Sequence, residues 1–216
     1  IGRAAIQGIV SHPELELAGV WVHSPQKVGL DAGEIAGCGR LGIQATNDVQ
    51  ALLALDADCV MYAPVMANAA EVAKILESGK NVVTPLNWFY RGSRDWSVLE
   101  AACQKGRATL HGTGINPGGI TERFPLMISA LSRNVRYVRA EEWSDIRTYG
   151  APQVVGEIML FGKTPEAARK SVMVQMLGDG FCQSIDMLAD TLGFDLDREK
   201  QARHELSVSR EPVDSP

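Results

Sequence analysis

Residues 58–85, DCVMYAPVMANAAEVAKILESGKNVVTP, decide the fold. Asp58 to Ala63 is an uninterrupted apolar run of strand length, closed by Pro64. Asn68 to Ser78 then places Ala69, Val72, Ala73 and Leu76 on one helical face, and Gly79 stops it. Asn81 to Thr84 is a second short strand, ended by Pro85. Strands that are continuously apolar, instead of alternating, belong to a sheet covered by helices on both faces. The stretch therefore reads as one strand–helix–strand step of a parallel, doubly wound α/β sheet.

The same alternation extends in both directions. Upstream, Ile1 to Val10 reads as a helix and Leu15 to Val22 as a strand followed by the turn His23-Ser24-Pro25. A short helix over Asp31 to Ala36 and a short strand over Ile43 to Ala45 come next. Thr46-Asn47-Asp48 then offers side-chain oxygens to the free N–H groups of a helix over Val49 to Leu55. Downstream, Trp96 to Gln104 is helical, Gly106 terminates it, and Ala108 to His111 is a strand. Beyond residue 120 the pattern changes. A helix over Ile120 to Ser132 precedes a long strand, Val135 to Asp145, with helices over Gln153 to Phe161, Pro165 to Leu177 and Phe181 to Leu192 and a last strand near His204 to Val213. The expected organisation is a dinucleotide-binding domain over residues 1–119 and an α+β substrate or dimerisation domain over residues 120–216. In open α/β sheets, ligands bind at the carboxyl ends of the strands. The turns at His23-Ser24, Ala63-Pro64, Thr84-Pro85-Leu86-Asn87 and Gly112 to Gly119 are thus expected to converge.

Composition narrows the function. The 216 residues carry 21 Lys and Arg against 26 Asp and Glu, a net charge of −5 with 45% hydrophobic residues. Nothing in that balance suggests a nucleic-acid or anionic-membrane surface, although a small basic pocket for one phosphate is compatible with it. The 21 glycines are close to a tenth of the chain, above the usual share of about 7%. Cys38, Cys59, Cys103 and Cys182 show no C-x-x-C spacing. They read as reduced, mostly buried thiols of a cytoplasmic protein, with neither a disulfide framework nor a zinc site. No apolar run approaches the ~20 residues of a membrane span. No Ser-His-Asp order, phosphate-binding P-loop or H-E-x-x-H pattern is present, so hydrolase and kinase readings are poor.

Ile1-Gly2-Arg3-Ala4-Ala5 looks like a Rossmann helix just after its glycine-rich turn, with Gly2 as the last glycine of G-x-G-x-x-G. Such a helix start presents free N–H groups suited to a pyrophosphate. The strand expected before it is not in the sequence, and both chain ends are expected to extend further. Together with His23-Ser24-Pro25-Gln26-Lys27-Val28-Gly29, Asn81 to Pro85 and Gly112-Thr113-Gly114-Ile115-Asn116-Pro117-Gly118, this order resembles the dihydrodipicolinate-reductase-like oxidoreductases. The nearest branch is that of the 2,4-diaminopentanoate dehydrogenases and native amine dehydrogenases. The resemblance implies NADPH or NADH as cofactor, hydride transfer to or from a C=N, C=C or C=O bond of a small substrate, and a homodimer.

The residues supply the details. Folds that select NAD usually carry an acid at the end of the second strand. Here Val22-His23-Ser24 stands there with Lys27 three positions on, a hydroxyl and a cation that match a 2′-phosphate. NADP(H) is accordingly the expected cofactor and NAD(H) the second choice. Gly2, His23, Ser24, Lys27, Ala63, Pro64, Thr84, Pro85 and Gly114 are the candidate cofactor residues; Asn87, Asn116 and Trp143 are the candidate reaction-centre residues. The resemblance puts an acidic residue where Asn87 stands, and asparagine cannot ionise. Amine oxidation is therefore in question while hydride transfer is retained, and a dinucleotide-binding sensor or assembly subunit without catalysis is the alternative. His111 is a possible proton donor. In an extended Val135 to Asp145, Glu141 and Glu142 point to opposite faces and cannot act as a carboxylate couple.

Overall fold

The computed structural model describes residues 1–92, 95–196 and 205. They fall into two compact units, residues 1–88 with 95–113, and residues 89–94 with 114–216.

The first unit alternates helix and strand in the expected order. Its elements are α1 (Gly2–Ser11), β1 (Val20–Trp21), α2 (Ala32–Ala36), β2 (Ala45–Thr46), α3 (Val49–Ala54), β3 (Cys59–Met61), α4 (Ala69–Glu77), β4 (Asn81–Thr84), α5 (Ser97–Gly106) and β5 (Leu110–Gly112). Every pairing between these strands is parallel. β1 pairs with β2, while β3, β4 and β5 form a second ladder with Met61 opposite Val83 and Thr84 opposite Gly112.

The capping chemistry read from Thr46-Asn47-Asp48 holds at Asp48, and Asn68 caps the next helix in the same way. Asp48 accepts from the N–H groups of Gln50 and Ala51 at the start of α3, and Asn68 from Ala70 and Glu71 at the start of α4. Asp31 does more than cap α2. Its Oδ1 accepts the N–H groups of Gly33 at 2.8 Å and Leu41 at 2.9 Å, and its Oδ2 that of Gly42 at 2.7 Å. The Leu41 N–H above all holds this carboxyl below its ordinary range, with burial working the other way. The core gathers Tyr62 of the β3 end, Val72, Ala73, Ile75 and Leu76 of α4, Val82 of β4, and Leu99 and Ala102 of α5. Burying such aliphatic side chains contributes roughly 1.5–3 kcal/mol each.

Several boundaries differ from the sequence reading. The strand expected over Leu15 to Val22 shrinks to Val20–Trp21, because only those residues find a ladder partner in β2. The helix expected to stop at Gly106 includes it, and the chain reverses at Arg107 with φ 52°. Gly106 is required for a different reason: a Cβ there would lie 1.8 Å from the Leu76 carbonyl oxygen of α4. The cysteines are all free, but Cys38 and Cys59 are exposed and Cys103 and Cys182 half-buried, so the expectation of mostly buried thiols does not hold.

The second unit contains α6 (Arg123–Ser129), a π-helical turn over Val154–Ile158, α7 (Pro165–Arg169) and α8 (Val172–Leu192). Two expectations fail here. Val135 to Asp145 forms no ladder among the described residues, although its backbone lacks regular helix as well. The helix expected over Pro165 to Leu177 divides into α7 and the start of α8, and α8 then runs unbroken for 21 residues through Gly178 and Gly180 to include the helix expected over Phe181 to Leu192. Both glycines are buried, and a Cβ on Gly180 would lie 2.9 Å from Cγ of Pro117. The strand expected over His204 to Val213 lies outside the described residues, apart from Glu205. The interior is polar as well as apolar. Gln183 Oε1 accepts the N–H groups of Phe89 at 3.0 Å and Tyr90 at 3.2 Å, while buried Glu122 receives Ser184 Oγ at 2.8 Å and Thr121 Oγ1 at 2.5 Å.

Candidate functional site

In the first unit the parallel register brings the strand ends to one edge. The Tyr62 N–H donates to the Val83 carbonyl at 2.8 Å, and the Thr113 N–H donates to that of Thr84 at 2.8 Å. Ala63-Pro64, Thr84-Pro85 and Gly112-Thr113 therefore follow three adjacent parallel strands. Thr84 is fully buried, and its Oγ1 accepts the Leu86 N–H at 3.2 Å, which shapes the turn after β4. His111 sits opposite Val83 in the ladder with its side chain exposed.

The end of β1 is linked to the end of β3 through side chains. The His23 ring lies 4.5 Å from that of Trp21, and its Nε2 is 3.7 Å from Oε1 of Glu71, ion-pair range. Oε2 of Glu71 accepts the Tyr62 hydroxyl at 2.7 Å, and the same hydroxyl oxygen accepts the Asn68 N–H at 3.1 Å. Burial, and then the Glu71 carboxylate, push the Tyr62 hydroxyl up from its ordinary pKa. Sequence reasoning missed Tyr62 and Glu71, although the Asn68-x-x-Glu71 spacing is that of a capping box and puts an acid in the first turn of α4.

Beside His23, Pro25–Lys27 forms a short 3₁₀ turn with Ser24 at its N-cap. Ser24 Oγ donates to Gln26 Oε1 at 2.6 Å. The hydroxyl and the Lys27 ammonium thus stand on one turn directly after β1. Gly2 opens α1, and a Cβ there would meet nothing within 4 Å, so no close approach in this structure demands glycine. Asn87 is half-buried and held at φ 59°, a left-handed conformation that asparagine tolerates better than most residues.

In the second unit the loop after β5 is fixed by contacts that only glycines admit. A Cβ on Gly114, at φ 147°, would lie 2.6 Å from the Pro117 carbonyl oxygen. The peptide bond between Asn116 and Pro117 is cis. Asn116 Nδ2 donates to Glu142 Oε2, and Ser144 Oγ donates to Glu142 Oε1 at 2.7 Å. Asn116 Oδ1 is buried and, among the described residues, has no hydrogen-bond partner. Arg139 Nη2 donates to Glu141 Oε1, so the two glutamates have different partners. Trp143, between them and Asp145, is 92% exposed. Asp145 is held down to about 2 by the Arg147 guanidinium.

What the structure can hold follows from these placements. In the first unit, three parallel strand ends followed by small or polar turns, with a hydroxyl and an ammonium after β1, suit a nicotinamide dinucleotide. No group of three or more His, Cys, Asp or Glu among the described residues is placed to hold a metal ion, and no described helix is long and apolar enough to cross a membrane.

The fold and these loops define a Rossmann-like α/β chain. Its resemblance to the amine dehydrogenases and dihydrodipicolinate-reductase-like oxidoreductases is borne out by comparison with known proteins. The chain is similar to an amine dehydrogenase from Streptomyces virginiae, 32% identical over 223 aligned positions that cover 97% of this chain and 62% of that protein. A 4-hydroxy-tetrahydrodipicolinate reductase from Chromohalobacter salexigens is 38% identical over 85 residues, 38% of this chain and 31% of that one. Among solved structures, an amine dehydrogenase from Mycobacterium smegmatis superposes with a TM-score of 0.68 at 20% identity, covering 89% of this chain and 59% of that one, which shows the shared fold. No family model matches. The chain thus spans a little over three fifths of the length of the amine dehydrogenase it matches.

Proposed function

We propose that this chain acts as an NAD(P)-dependent oxidoreductase, transferring a hydride to or from a C=N, C=C or C=O bond of a small substrate, with NADP(H) preferred. The observation that carries the reading is the run of three parallel strand ends, in a chain 32% identical to an amine dehydrogenase over nearly its whole length. In this reading Ser24 and Lys27, with His23 beside them, hold the 2′-phosphate, because a hydroxyl and an ammonium on one turn offer charge-assisted hydrogen bonds and no acid of β1 opposes them. Gly2 lies where the pyrophosphate meets a helix start. Ala63, Pro64, Thr84, Pro85 and Gly114 border the nicotinamide, and Asn87, Asn116 and Trp143 face the substrate.

The cofactor supplies the hydride; the chain supplies binding, orientation and electrostatics. The orphaned Asn116 Oδ1 fits such a group, since a nicotinamide carboxamide or a substrate nitrogen carries the N–H it lacks. Asn87 can donate and accept hydrogen bonds to orient a carbonyl or imine, but it takes no proton from an ammonium. A homodimer and a cytoplasmic location complete the reading.

Isothermal calorimetry with NADPH and NADH, followed by NADPH oxidation with imine, enone and ketone panels, tests it. Binding with turnover on one panel is the expected result. Binding without turnover on any panel supports instead a dinucleotide-binding sensor or assembly subunit, and no dinucleotide binding overturns both.

A further inference from the structure

Asn116 is half-buried, but its Oδ1 is the one buried side-chain nitrogen or oxygen among the described residues with no hydrogen-bond partner, and its surroundings say why. A carboxylate only accepts hydrogen bonds. Glu142 Oε2 therefore takes the Asn116 Nδ2 end and no other, which turns Oδ1 away. The other carboxylate oxygen receives Ser144 Oγ at 2.7 Å, so the carboxylate itself is held from both sides. The loop bearing Asn116 is fixed in turn by Pro117, which approaches the α8 backbone at Gly180 within 2.9 Å of where a Cβ would stand. Leaving a buried acceptor without a donor is costly, and such an atom is accounted for when a ligand supplies the donor.

We infer that Glu142 and Ser144 are positioning residues: they lock the Asn116 amide so that its Oδ1 accepts an N–H of the reacting pair, from either the nicotinamide carboxamide or the substrate nitrogen. The inference rests on the oxidoreductase reading above and adds to it the orientation of the group at the reaction centre. Glu142 acts through Asn116 and transfers no proton. An aldehyde or ketone oxygen has no hydrogen to give Asn116 Oδ1 so locked, whereas an amine or iminium N–H has.

The test uses the full chain and two pairs of probes, with circular dichroism confirming that each variant is folded. In the first arm, calorimetry compares NADP⁺ with its 3-acetylpyridine analogue, in which a methyl group replaces the carboxamide NH₂. In the second arm, 2-aminobutane is titrated against 2-butanone, which has no hydrogen to donate, in the presence of NADP⁺. Glu142→Ala and Ser144→Ala are expected to weaken the N–H-bearing probe of one arm by about threefold to tenfold, the worth of one hydrogen bond, and to leave its partner probe unchanged. Glu142→Gln, which keeps an accepting oxygen for Asn116 Nδ2, is expected to retain most of the wild-type discrimination. Loss in the first arm assigns the N–H to the carboxamide, and loss in the second to the substrate. Equal changes for both members of each pair, or no change in either arm, overturn the inference while leaving dinucleotide binding intact. A wild-type chain that binds neither NADP⁺ nor NADPH, nor their non-phosphorylated forms, overturns the oxidoreductase reading itself and this inference with it.

Discussion

Asp31 Oδ2 accepts the N–H of Gly42 at 2.7 Å, tying the start of α2 to the turn that leads into β2. With Gly33 and Leu41 on the other oxygen, one carboxylate satisfies three backbone donors. Its pKa is lowered relative to the unfolded chain, where it titrates near an ordinary Asp value of about 3.9. As the pH falls the unfolded chain takes up the proton first, so this stabilisation is complete above the unfolded value and is lost as the pH drops through the lower, folded one. Asp31→Asn turns an amide N–H toward that of Gly42 and removes the charge. We expect a lower Tm than wild type at pH 7, and a gap between the two that closes as melts are taken from pH 5 down to pH 2. A gap independent of pH would contradict the assignment.

Gly106 and the Leu76 carbonyl oxygen approach too closely for any side chain. The neighbour is backbone on a helix whose inner face is fully buried, so it has little room to yield. Gly106→Ala is expected to destabilise the chain by about 1–3 kcal/mol, the usual cost of overpacking. Urea denaturation followed by fluorescence measures it, and a shift below about 0.5 kcal/mol, the usual scatter of surface substitutions, would show that α4 and α5 part easily.

Ser24 and Lys27 share a turn that no acid of β1 opposes. If they take the 2′-phosphate, Ser24→Ala with Lys27→Ala removes charge-assisted hydrogen bonds worth about 1.5–3 kcal/mol each. NADPH affinity should fall at least about tenfold while that for NADH stays within about twofold, with each tenfold change being about 1.4 kcal/mol. Equal losses for the two cofactors would remove the 2′-phosphate from this turn.

At Asn87 the backbone limits what sequence comparison alone suggests. Asn87→Glu places an ionisable group where the amine-dehydrogenase resemblance puts one, and amine-dependent reduction of NADP⁺ should appear. At φ 59° the longer side chain also carries left-handed strain, up to about 1–2 kcal/mol, so a lower Tm should accompany the gain. An unchanged substrate profile at an unchanged Tm would count against both the matched position and the strain.

The strand–helix alternation of the first unit was legible because its strands are short apolar runs next to Pro or Gly, and because Asp48 announces the helix that follows it. Glycine was the misleading signal. Gly106 read as a stop and residues 178–180 as a gap between two helices, yet Gly106, Gly178 and Gly180 all lie within helices, and at Gly106 and Gly180 another backbone or ring comes close. A single sequence records that a side chain is missing but not whether a turn or a neighbour requires it. Val135 to Asp145 failed for the complementary reason: strand propensity resides in the segment, whereas a strand exists only with a partner. The site was legible as a set of loops. The Glu71–Tyr62 link and the orphaned Asn116 oxygen depend on side-chain directions across elements, which spacing along the chain does not carry.

The contact of Pro117 with Gly180 has an evolutionary consequence. A methyl group at 180 has no place while a pyrrolidine ring stands at 117, and a rigid ring cannot swing aside as a long flexible side chain would. The two positions form a locked pair in which neither change is accepted first at position 180. Among relatives that keep this helix unbroken, glycine should give way there only where the proline has already been lost, so the order of substitutions, and not merely their identity, is written into the geometry.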